Sequence, residues 1–298
     1  RLRFHPPGPK IKNMTVDNKK IILSVLAHPD DESFGMGGTL ALYAEQGVSV
    51  HLVCATRGEA GEVGPDYMKD YESIGELREA ELRCASSHLG LSGVYFLDYR
   101  DSGMTGSADN DHPQALVQAP IEEVAAKIVQ KIREIKPQVV LTFDPIGGYH
   151  HPDHIAIHQA TVKAFHLAGD AGYESELPPF QPNKLYYHTI PRRFIRVGVG
   201  LLKLFRKDPS RWGQNQDIDL TALAIDDFPI HAQINYRSVE TRKNAASFCH
   251  ASQGGAGLAK GPLQWVSRLF GGQDQFMRAF PPPQAGEREA DLFTGIKI

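Results

Sequence analysis

Apolar segments of strand length alternate with helical segments along most of this chain, and this alternation is the feature that most constrains its fold. The apolar segments are rich in Val, Ile and Leu, and they occupy residues 19–27, 48–56, 94–99, 137–144 and 184–190. Segments with the apolar spacing of helices lie between them, for example at 74–90 and 121–136. Strands that alternate with helices form parallel sheets covered on both faces. The sequence therefore predicts an α/β fold with a Rossmann-like, mostly parallel sheet and helices on both faces.

Polar loops follow four of the predicted strands. They read AHPDDES (27–33), ATRGEAGE (55–62), LDYRDSG (97–103) and FDPIGGYHHPDH (143–154). In an open α/β sheet the carboxyl ends of parallel strands share one edge, and ligands bind in the crevice beyond that edge. We therefore expect the four loops to converge on one active site.

The strand–helix pattern divides the chain into three parts. Residues 1–18 are polar and Pro-rich and predict an extended N-terminal arm, and residues 19–190 predict the catalytic α/β domain. The pattern is less regular over 191–298, which we interpret as a C-terminal cap or extension packed on the core. Within it, the basic segment 192–207 is interpreted as a cap or subunit-contact element in preference to a membrane-surface helix. A homo-oligomer is therefore left open.

Charge and cysteine content narrow the class of protein. A formal net charge of −3 gives no general attraction to nucleic acid. No apolar run approaches the roughly 18 residues of a membrane span, so none is predicted. The cysteines, Cys54, Cys84 and Cys249, are odd in number and far apart, without a Cys-x-x-Cys pair. We expect no disulfide framework and a cytoplasmic location.

The loop AHPDDES places three acids directly after a buried strand and beside a histidine. Adjacent carboxylates are costly to hold ionised unless a cation lies next to them. His28 adds a nitrogen of the kind that favours zinc-like metals over calcium or magnesium. One of Asp30, Asp31 and Glu32 could cap the next helix, but capping does not explain all three. The loop therefore predicts a metal site.

A dinucleotide site is the competing interpretation of the same strand–turn–helix. The glycines that follow, Gly35, Gly37 and Gly38, do not have the Gly-x-Gly-x-x-Gly spacing of that site. The three acids would also repel a pyrophosphate. Both observations argue against a bound dinucleotide.

A histidine cluster in YHHPDHIAIH is the second candidate metal-binding segment. His151 and His154 are three residues apart, and His154 and His158 are four apart, so either pair can share a helix face. A His-Pro-Asp triplet occurs in both loops, at 28–30 and 151–153. Two loops can thus supply His, Asp and His to one ion, as in hydrolytic zinc sites. The residues alone do not decide which histidines bind.

Several motifs in these loops resemble one known family. AHPDDE after a strand, with HPDH about 120 residues later, is similar to the LmbE-like or PIG-L family of zinc-dependent N-acetylglucosamine deacetylases. The resemblance extends through TRGEAGE, REAEL, YRDSGM and HASQ. YRDSGM and GGYHHPDH are nearest to the branch of mycothiol metabolism, which includes a deacetylase and a conjugate amidase.

The resemblance implies roles for individual residues. The family's metal ligands fall on His28, Asp31 and His154, and its general base falls on Asp30. Its second catalytic histidine, which stabilises the oxyanion or protonates the leaving amine, falls on His151.

Four further residues receive roles from the same resemblance. Arg78 and Asp101 are expected to contact sugar hydroxyls, and Tyr149 is expected to reach the carbonyl oxygen. Asp153 is expected to orient His151. Apart from the resemblance, Glu32 is expected to cap or brace the loop rather than to catalyse.

The resemblance implies a metal-dependent hydrolase that removes the N-acetyl group from an N-acetylglucosamine-type sugar or glycoconjugate. A metal-activated water attacks the amide with Asp30 as base, the metal being zinc, with iron as an alternative in the cell. An amidase acting on a mycothiol-like thiol conjugate is the alternative enzyme. A non-catalytic protein that binds sugars or membrane surfaces is the alternative from another class.

Overall fold

A computed structural model describes residues 19–190, 192–211, 219–225, 227–255 and 272–297 of the chain. The N-terminal arm expected for 1–18 lies outside the described residues.

Seven strands form one sheet in the order β3-β2-β1-β4-β5-β7-β6. Their bounds are β1 Ile21–Leu26, β2 Ser49–Cys54, β3 Gly93–Phe96, β4 Val139–Phe143, β5 Lys184–Thr189, β6 Ala232–Asn235 and β7 Gln273–Phe280. Strands β1 to β5 pair in parallel, and β7 pairs antiparallel with both β5 and β6. The predicted Rossmann-like, mostly parallel sheet is confirmed.

Helices connect the strands. Their bounds are α1 Asp31–Phe34, α2 Gly37–Glu45, α3 Ile74–Leu89, α4 Ile121–Ile135, α5 Gly147–His150, α6 Pro152–Gly169, α7 Arg192–Leu204, α8 Leu220–Leu223 and α9 Glu240–Cys249. Helix α4 packs against α6, and α2 and α3 pack against α9. The crossovers β1–β2–β3 and β3–β4–β5 run in opposite directions across the sheet. Right-handed crossovers therefore place these two helical layers on opposite faces. None of the described helices is long and apolar enough to cross a bilayer.

The sequence of β1 explains its central position. Ile22, Leu23, Val25 and Leu26 are fully buried, so apolar side chains of this strand face both helical layers. A continuous apolar run is what a parallel strand covered on both faces requires.

The residues at the two ends of helix α3 explain where it begins and ends. The Ser73 side chain accepts a hydrogen bond from the Glu76 amide at its start, and Gly90 ends it at φ 77°.

The region 191–298 contributes β6 and β7 to the same sheet as the rest of the chain. The division into a catalytic domain over 19–190 and an extension over 191–298 stays a prediction.

Cys84 and Cys249 form a disulfide that joins α3 to α9. The expectation that the cysteines stay unpaired was wrong for these two residues. They are 165 positions apart, and only the packing of α3 on α9 brings their Cα atoms to 5.8 Å. Cys54 is buried and free, as a small apolar residue of β2.

The strand order places a crevice between β1 and β4. After β1 the chain crosses to β2 on one side, and after β4 it crosses to β5 on the other. The two connections therefore leave this edge of the sheet in opposite directions. A crevice opens between the loops after β1 and β4, and ligands bind at such a switch point. These are the AHPDDES loop and the loop containing YHHPDH.

Candidate metal centre and active site

Three side chains from the loops after β1 and β4 converge at the switch point. The His28 Nδ1 atom lies 3.2 Å from His154 Nε2. Asp31 places its Oδ1 3.2 Å from His154 Nε2 and its Oδ2 3.6 Å from His28 Nδ1. These are the three residues that the resemblance implies as metal ligands.

Neighbouring acceptors fix the tautomers of the two histidines. The Nδ1 of His154 lies 3.1 Å from the Gly147 carbonyl, and the Nε2 of His28 lies 3.1 Å from Asp153 Oδ2. Each of these nitrogens must carry hydrogen to donate to its acceptor. When both rings are neutral, the lone pairs of His28 Nδ1 and His154 Nε2 therefore face each other beside a carboxylate.

That arrangement fits a bound metal ion. Two lone pairs and a carboxylate repel one another unless a cation lies between them. Histidines that bind metal through one nitrogen commonly donate from the other to a carboxylate or carbonyl, and both do so here. His151 also brings a ring nitrogen within 4.8 Å of the nitrogens of His28 and His154. The described residues thus contain a His/Asp metal-binding site.

Asp30 lies next to the cluster in an unusual backbone conformation. Its φ is 121°, a region that side-chain-bearing residues rarely adopt. Its carboxylate accepts a hydrogen bond of 2.9 Å from Arg78 Nη2 and lines a cavity of about 400 Å³. Burial raises the pKa of Asp30 to about 6; Arg78 opposes this rise and Asp31 adds to it. Asp30 does not cap α1 through its side chain.

Glu32 braces this loop, which is one of the two roles expected for it. It is fully buried, and its Oε2 accepts a hydrogen bond of 2.9 Å from the Asp30 amide. Its Oε1 lies 2.8 Å from Nε2 of His250, which is also fully buried. Burial alone would lower the pKa of His250, but the negative charge of Glu32 outweighs this effect and raises it. His250 was not predicted to reach the site, although the HASQ motif that contains it was part of the family resemblance.

Arg78 is buried behind the loop. Its Nη2 donates to the Pro29 carbonyl at 2.5 Å, and its Nη1 donates to the Gly58 carbonyl at 3.0 Å. A Cβ at position 58 would lie 2.0 Å from that nitrogen, so only glycine permits this approach. Its Nε is buried without a hydrogen-bond partner among the described residues. In this structure Arg78 supports Asp30, and contact with a sugar stays a prediction.

The loop after β4 turns sharply before its histidines. Gly147 and Gly148 have φ values of 64° and 70°. Tyr149 follows, is partly exposed, and lines the cavity beside Asp30. Its ring lies edge-on to His154, with the ring centroids 5.0 Å apart.

His151 and Asp153 do not interact as expected. The Asp153 carboxylate contacts His28 Nε2 and accepts a hydrogen bond of 2.9 Å from the Ser102 amide, so it does not orient His151. Its backbone amide instead donates to His151 Nδ1 at 3.2 Å. In the neutral ring, hydrogen is therefore left on Nε2. Burial, together with the charges of the neighbouring histidines, lowers the pKa of His151 to about 2.

Asp101 also supports the centre. Its Oδ1 lies 3.3 Å from His28 Nε2 and accepts a hydrogen bond of 2.9 Å from the Gly103 amide. His158 lies behind the site, with its Nδ1 2.8 Å from the Phe143 carbonyl, which supports the structural role expected for it.

The cavity extends from the metal site towards the carboxyl end of β5 and the region 191–298. Residues with polar groups line that side: His188, Tyr236, Lys243 and Asp274. None of the four was predicted as a site residue. Of these four, only His188 could have been placed near the site from the sequence, because it comes near the carboxyl end of a predicted strand. Burial lowers its pKa to about 4.

Comparison with known proteins finds a family whose matched region contains both loops. A family model described as "PIG-L: GlcNAc-PI de-N-acetylase" matches residues 23–165, which include both loops. The chain is 36% identical over 296 residues to the 1D-myo-inositol 2-acetamido-2-deoxy-alpha-D-glucopyranoside deacetylase of Thermomonospora curvata. That match covers 94% of this chain and 98% of the relative.

Two solved structures share the fold. N,N'-diacetylchitobiose deacetylase from Pyrococcus horikoshii matches with a TM-score of 0.60 and 19% identity, over 88% of this chain and 84% of that chain. GalB, the 4-carboxy-2-hydroxymuconate hydratase from Pseudomonas putida KT2440, matches with a TM-score of 0.57 and 22% identity, over 89% and 98%. Because one is a deacetylase and the other a hydratase, the shared fold does not decide the reaction. The family match over residues 23–165, together with 36% identity to the Thermomonospora curvata deacetylase over nearly the whole chain, shows that this chain belongs to the PIG-L family.

Proposed function

We propose that this protein is a metal-dependent hydrolase that removes the N-acetyl group from an N-acetylglucosamine-type sugar or glycoconjugate. One observation carries the proposal: Asp30, free of the metal cluster, opens into the cavity beside the converging nitrogens of His28 and His154. The relative from Thermomonospora curvata, a deacetylase of a 2-acetamido-2-deoxy-glucopyranoside, supports the same reaction.

His28, Asp31 and His154 are the residues proposed to hold the metal. Two imidazoles and a carboxylate suit zinc, and iron is the alternative because imidazole binds both. A divalent ion held there supplies Lewis-acid chemistry that activates water and polarises an amide carbonyl.

Asp30 is proposed as the general base. Its carboxylate lines the cavity, so it can take the proton of a water that attacks the acetamide carbon. Arg78 holds this carboxylate in place through the bond of 2.9 Å. A positioned base of this kind contributes typically about 10²- to 10⁴-fold to the rate.

Tyr149 and His151 are proposed to act on the other side of the amide. The Tyr149 hydroxyl can donate to the oxygen on which negative charge develops. His151 carries hydrogen on Nε2 when neutral, because Nδ1 accepts from the Asp153 amide, and it can donate to that oxygen or towards the leaving nitrogen. One such donor is worth roughly 3 to 4 kcal/mol in other enzymes.

Arg78 and Asp101 keep their proposed contact with sugar hydroxyls, and Asp153 is now proposed to hold the His28 ring. The zinc, the cytoplasmic location and the division into a catalytic domain and a C-terminal extension also remain proposals.

Asp30→Asn and His154→Ala test the proposal with different expected outcomes. Asp30→Asn should lower kcat about 10²- to 10⁴-fold while retaining about one metal per chain, since Asp30 is not a ligand. His154→Ala should lose the metal and the activity together. The assay measures amine release from N-acetylated amino sugars and from thiol-conjugate amides, with metal content from elemental analysis. His166→Ala, on the exposed face of α6, is the matched control. Full turnover by metal-free protein would refute the mechanism, and turnover of thiol-conjugate amides alone would favour the alternative amidase.

A further inference from the structure

Helix α7 exposes a stripe of large apolar side chains. Val197, Leu201, Leu204 and Phe205 are 62%, 50%, 73% and 71% exposed. Their spacing of four, seven and eight residues places them on one helix face. Ile225, which follows α8 and is 78% exposed, lies next to Ala224, whose carbonyl accepts from Arg196 of α7. These five account for most of the large apolar side chains exposed in the described part of the chain.

The opposite face of α7 anchors the helix, so the exposed stripe is not needed for the core. Arg192 and Val199 are buried on that face. Arg192 donates from Nη2 to the Gly148 carbonyl at 3.1 Å and lies 3.5 Å from the Asp144 carboxylate. Gly148 belongs to the loop that carries Tyr149. The anchored face of α7 is thereby tied directly to the candidate active site.

The charged residues within 192–207 are all positive. Residues 192–207 contain six Lys and Arg and no Asp or Glu, in a chain of formal net charge −3. Lys203, Arg206 and Lys207 are exposed and form no ion pair within the residues that the structure describes. Arg196 lies 3.4 Å from Asp227. The surface thus combines an apolar stripe with unpaired positive charge.

We propose that α7 and its C-terminal turn, residues 192–207, dock on the surface of an anionic phospholipid bilayer. Apolar stripes flanked by Lys and Arg lie in the interface of such bilayers, with the cations against the headgroups. A second copy of the chain fits less well, because pairing two α7 stripes would bring like charges together. Lys is also depleted in protein–protein interfaces.

Docking of α7 would place the candidate active site close to the bilayer. The helix begins two residues after Ile190, which lines the catalytic cavity. A second cavity of about 300 Å³, lined by Arg192 and Arg196, shares Thr189, Ile190 and Gln275 with the first. The substrate cavity therefore reaches the base of the docking helix.

Vesicle co-sedimentation tests the proposal with the intact protein. Vesicles of phosphatidylcholine are compared with vesicles containing one quarter phosphatidylglycerol, at low and at 0.5 M salt. Three unpaired cations predict about 100-fold tighter binding to the anionic vesicles. This preference should largely disappear at high salt, because surface charges are then screened. Lys203→Gln with Lys207→Gln should weaken the binding about 25-fold.

A second variant tests the apolar stripe. Leu201→Glu with Leu204→Glu should abolish vesicle binding while leaving Tm and turnover of a water-soluble substrate unchanged. Tyr67→Glu, at a residue 43% exposed and distant in sequence, is the matched control and should bind like the wild type. Absence of binding to anionic vesicles at low salt overturns the proposal. So does a large fall in Tm, which would show that another part of the chain covers the stripe. A dimer broken by the same variant, without vesicle binding, would assign the stripe to a second copy instead.

Discussion

Replacing His250 by alanine tests whether the buried pair with Glu32 holds the catalytic loop in place. Both side chains are fully buried, and the 2.8 Å contact between His250 Nε2 and Glu32 Oε1 links the end of α9 to this loop. The other Glu32 oxygen accepts from the Asp30 amide, so the pair is one bond away from the proposed base. His250→Ala would leave the Glu32 carboxylate buried without this partner.

The magnitude follows from the burial of both partners. Removing one member of a buried ion pair typically costs about 3 to 5 kcal/mol in the free energy of unfolding, because the other charge stays uncompensated. In a chain of this size each kcal/mol corresponds to roughly 2 °C, so Tm should fall by about 6 to 10 °C. Release of the loop should also displace Asp30. A misplacement of about 1 Å can cost roughly 10²-fold in rate, and we expect a loss of that order in kcat.

Two further variants make the result specific. His250→Gln places an amide N–H near the position of Nε2, so it can still donate to Glu32 and should recover most of the stability and turnover. His88→Ala, at an exposed histidine of α3, should change stability by no more than about 0.5 kcal/mol. Thermal unfolding followed by circular dichroism and amine-release kinetics measure both effects. If His250→Ala keeps the wild-type Tm and kcat, the pair does not hold the loop and the reasoning is wrong.

Two other predictions concern stability away from the metal. Burial raises the pKa of Asp274 to about 6, although Thr39 donates to its carboxylate. The folded state therefore keeps a proton that the unfolded state releases, and stability falls as pH rises from about 4 to 6. Asp274→Asn should gain up to about 3 kcal/mol over the wild type at pH 8 and nothing at pH 4 in urea unfolding, and an equal difference at both pH values would contradict this. The Cys84–Cys249 disulfide closes a loop of 165 residues, so its reduction should cost about 5 kcal/mol and about 10 °C in Tm. The Cys84→Ser and Cys249→Ser double variant should not respond to reductant, and an unresponsive wild type would show that the two thiols are unpaired in solution.

Local sequence patterns predicted the parallel part of the sheet because its strands are short and largely apolar, as in IILSVL of β1 and VVLTF of β4. Strand β7 was not predicted. Its sequence, QDQFMRAF, mixes charged and apolar residues, and its position depends on antiparallel pairing with β5, nearly a hundred residues earlier. Such pairing is set by tertiary packing and leaves little trace in a local pattern.

The candidate site, like the sheet, could be predicted from the sequence only in part. Placement of His28 and His154 at one sheet edge follows from the strand–helix alternation, because the ends of β1 and β4 must share that edge. The choice of these two histidines depended on the family resemblance. The contact between Glu32 and His250 spans 218 residues, and the disulfide partners are likewise defined only by how α9 packs on α3. No spacing rule in a sequence gives such contacts.

The strain at Asp30 explains why the loop needs partners from distant parts of the chain. A non-glycine residue at a φ of 121° costs roughly 1 to 3 kcal/mol and persists only where its surroundings enforce it. Arg78 of α3 holds the Pro29 carbonyl and the Asp30 carboxylate. Glu32, which contacts His250 at the end of α9, holds the Asp30 amide. This conformation lets adjacent carboxylates diverge, one to the histidines and the other to the cavity. Glycine would relieve the strain and remove the proposed base, so the requirement for an acid here accounts for the strained backbone and for the buried pair that supports it.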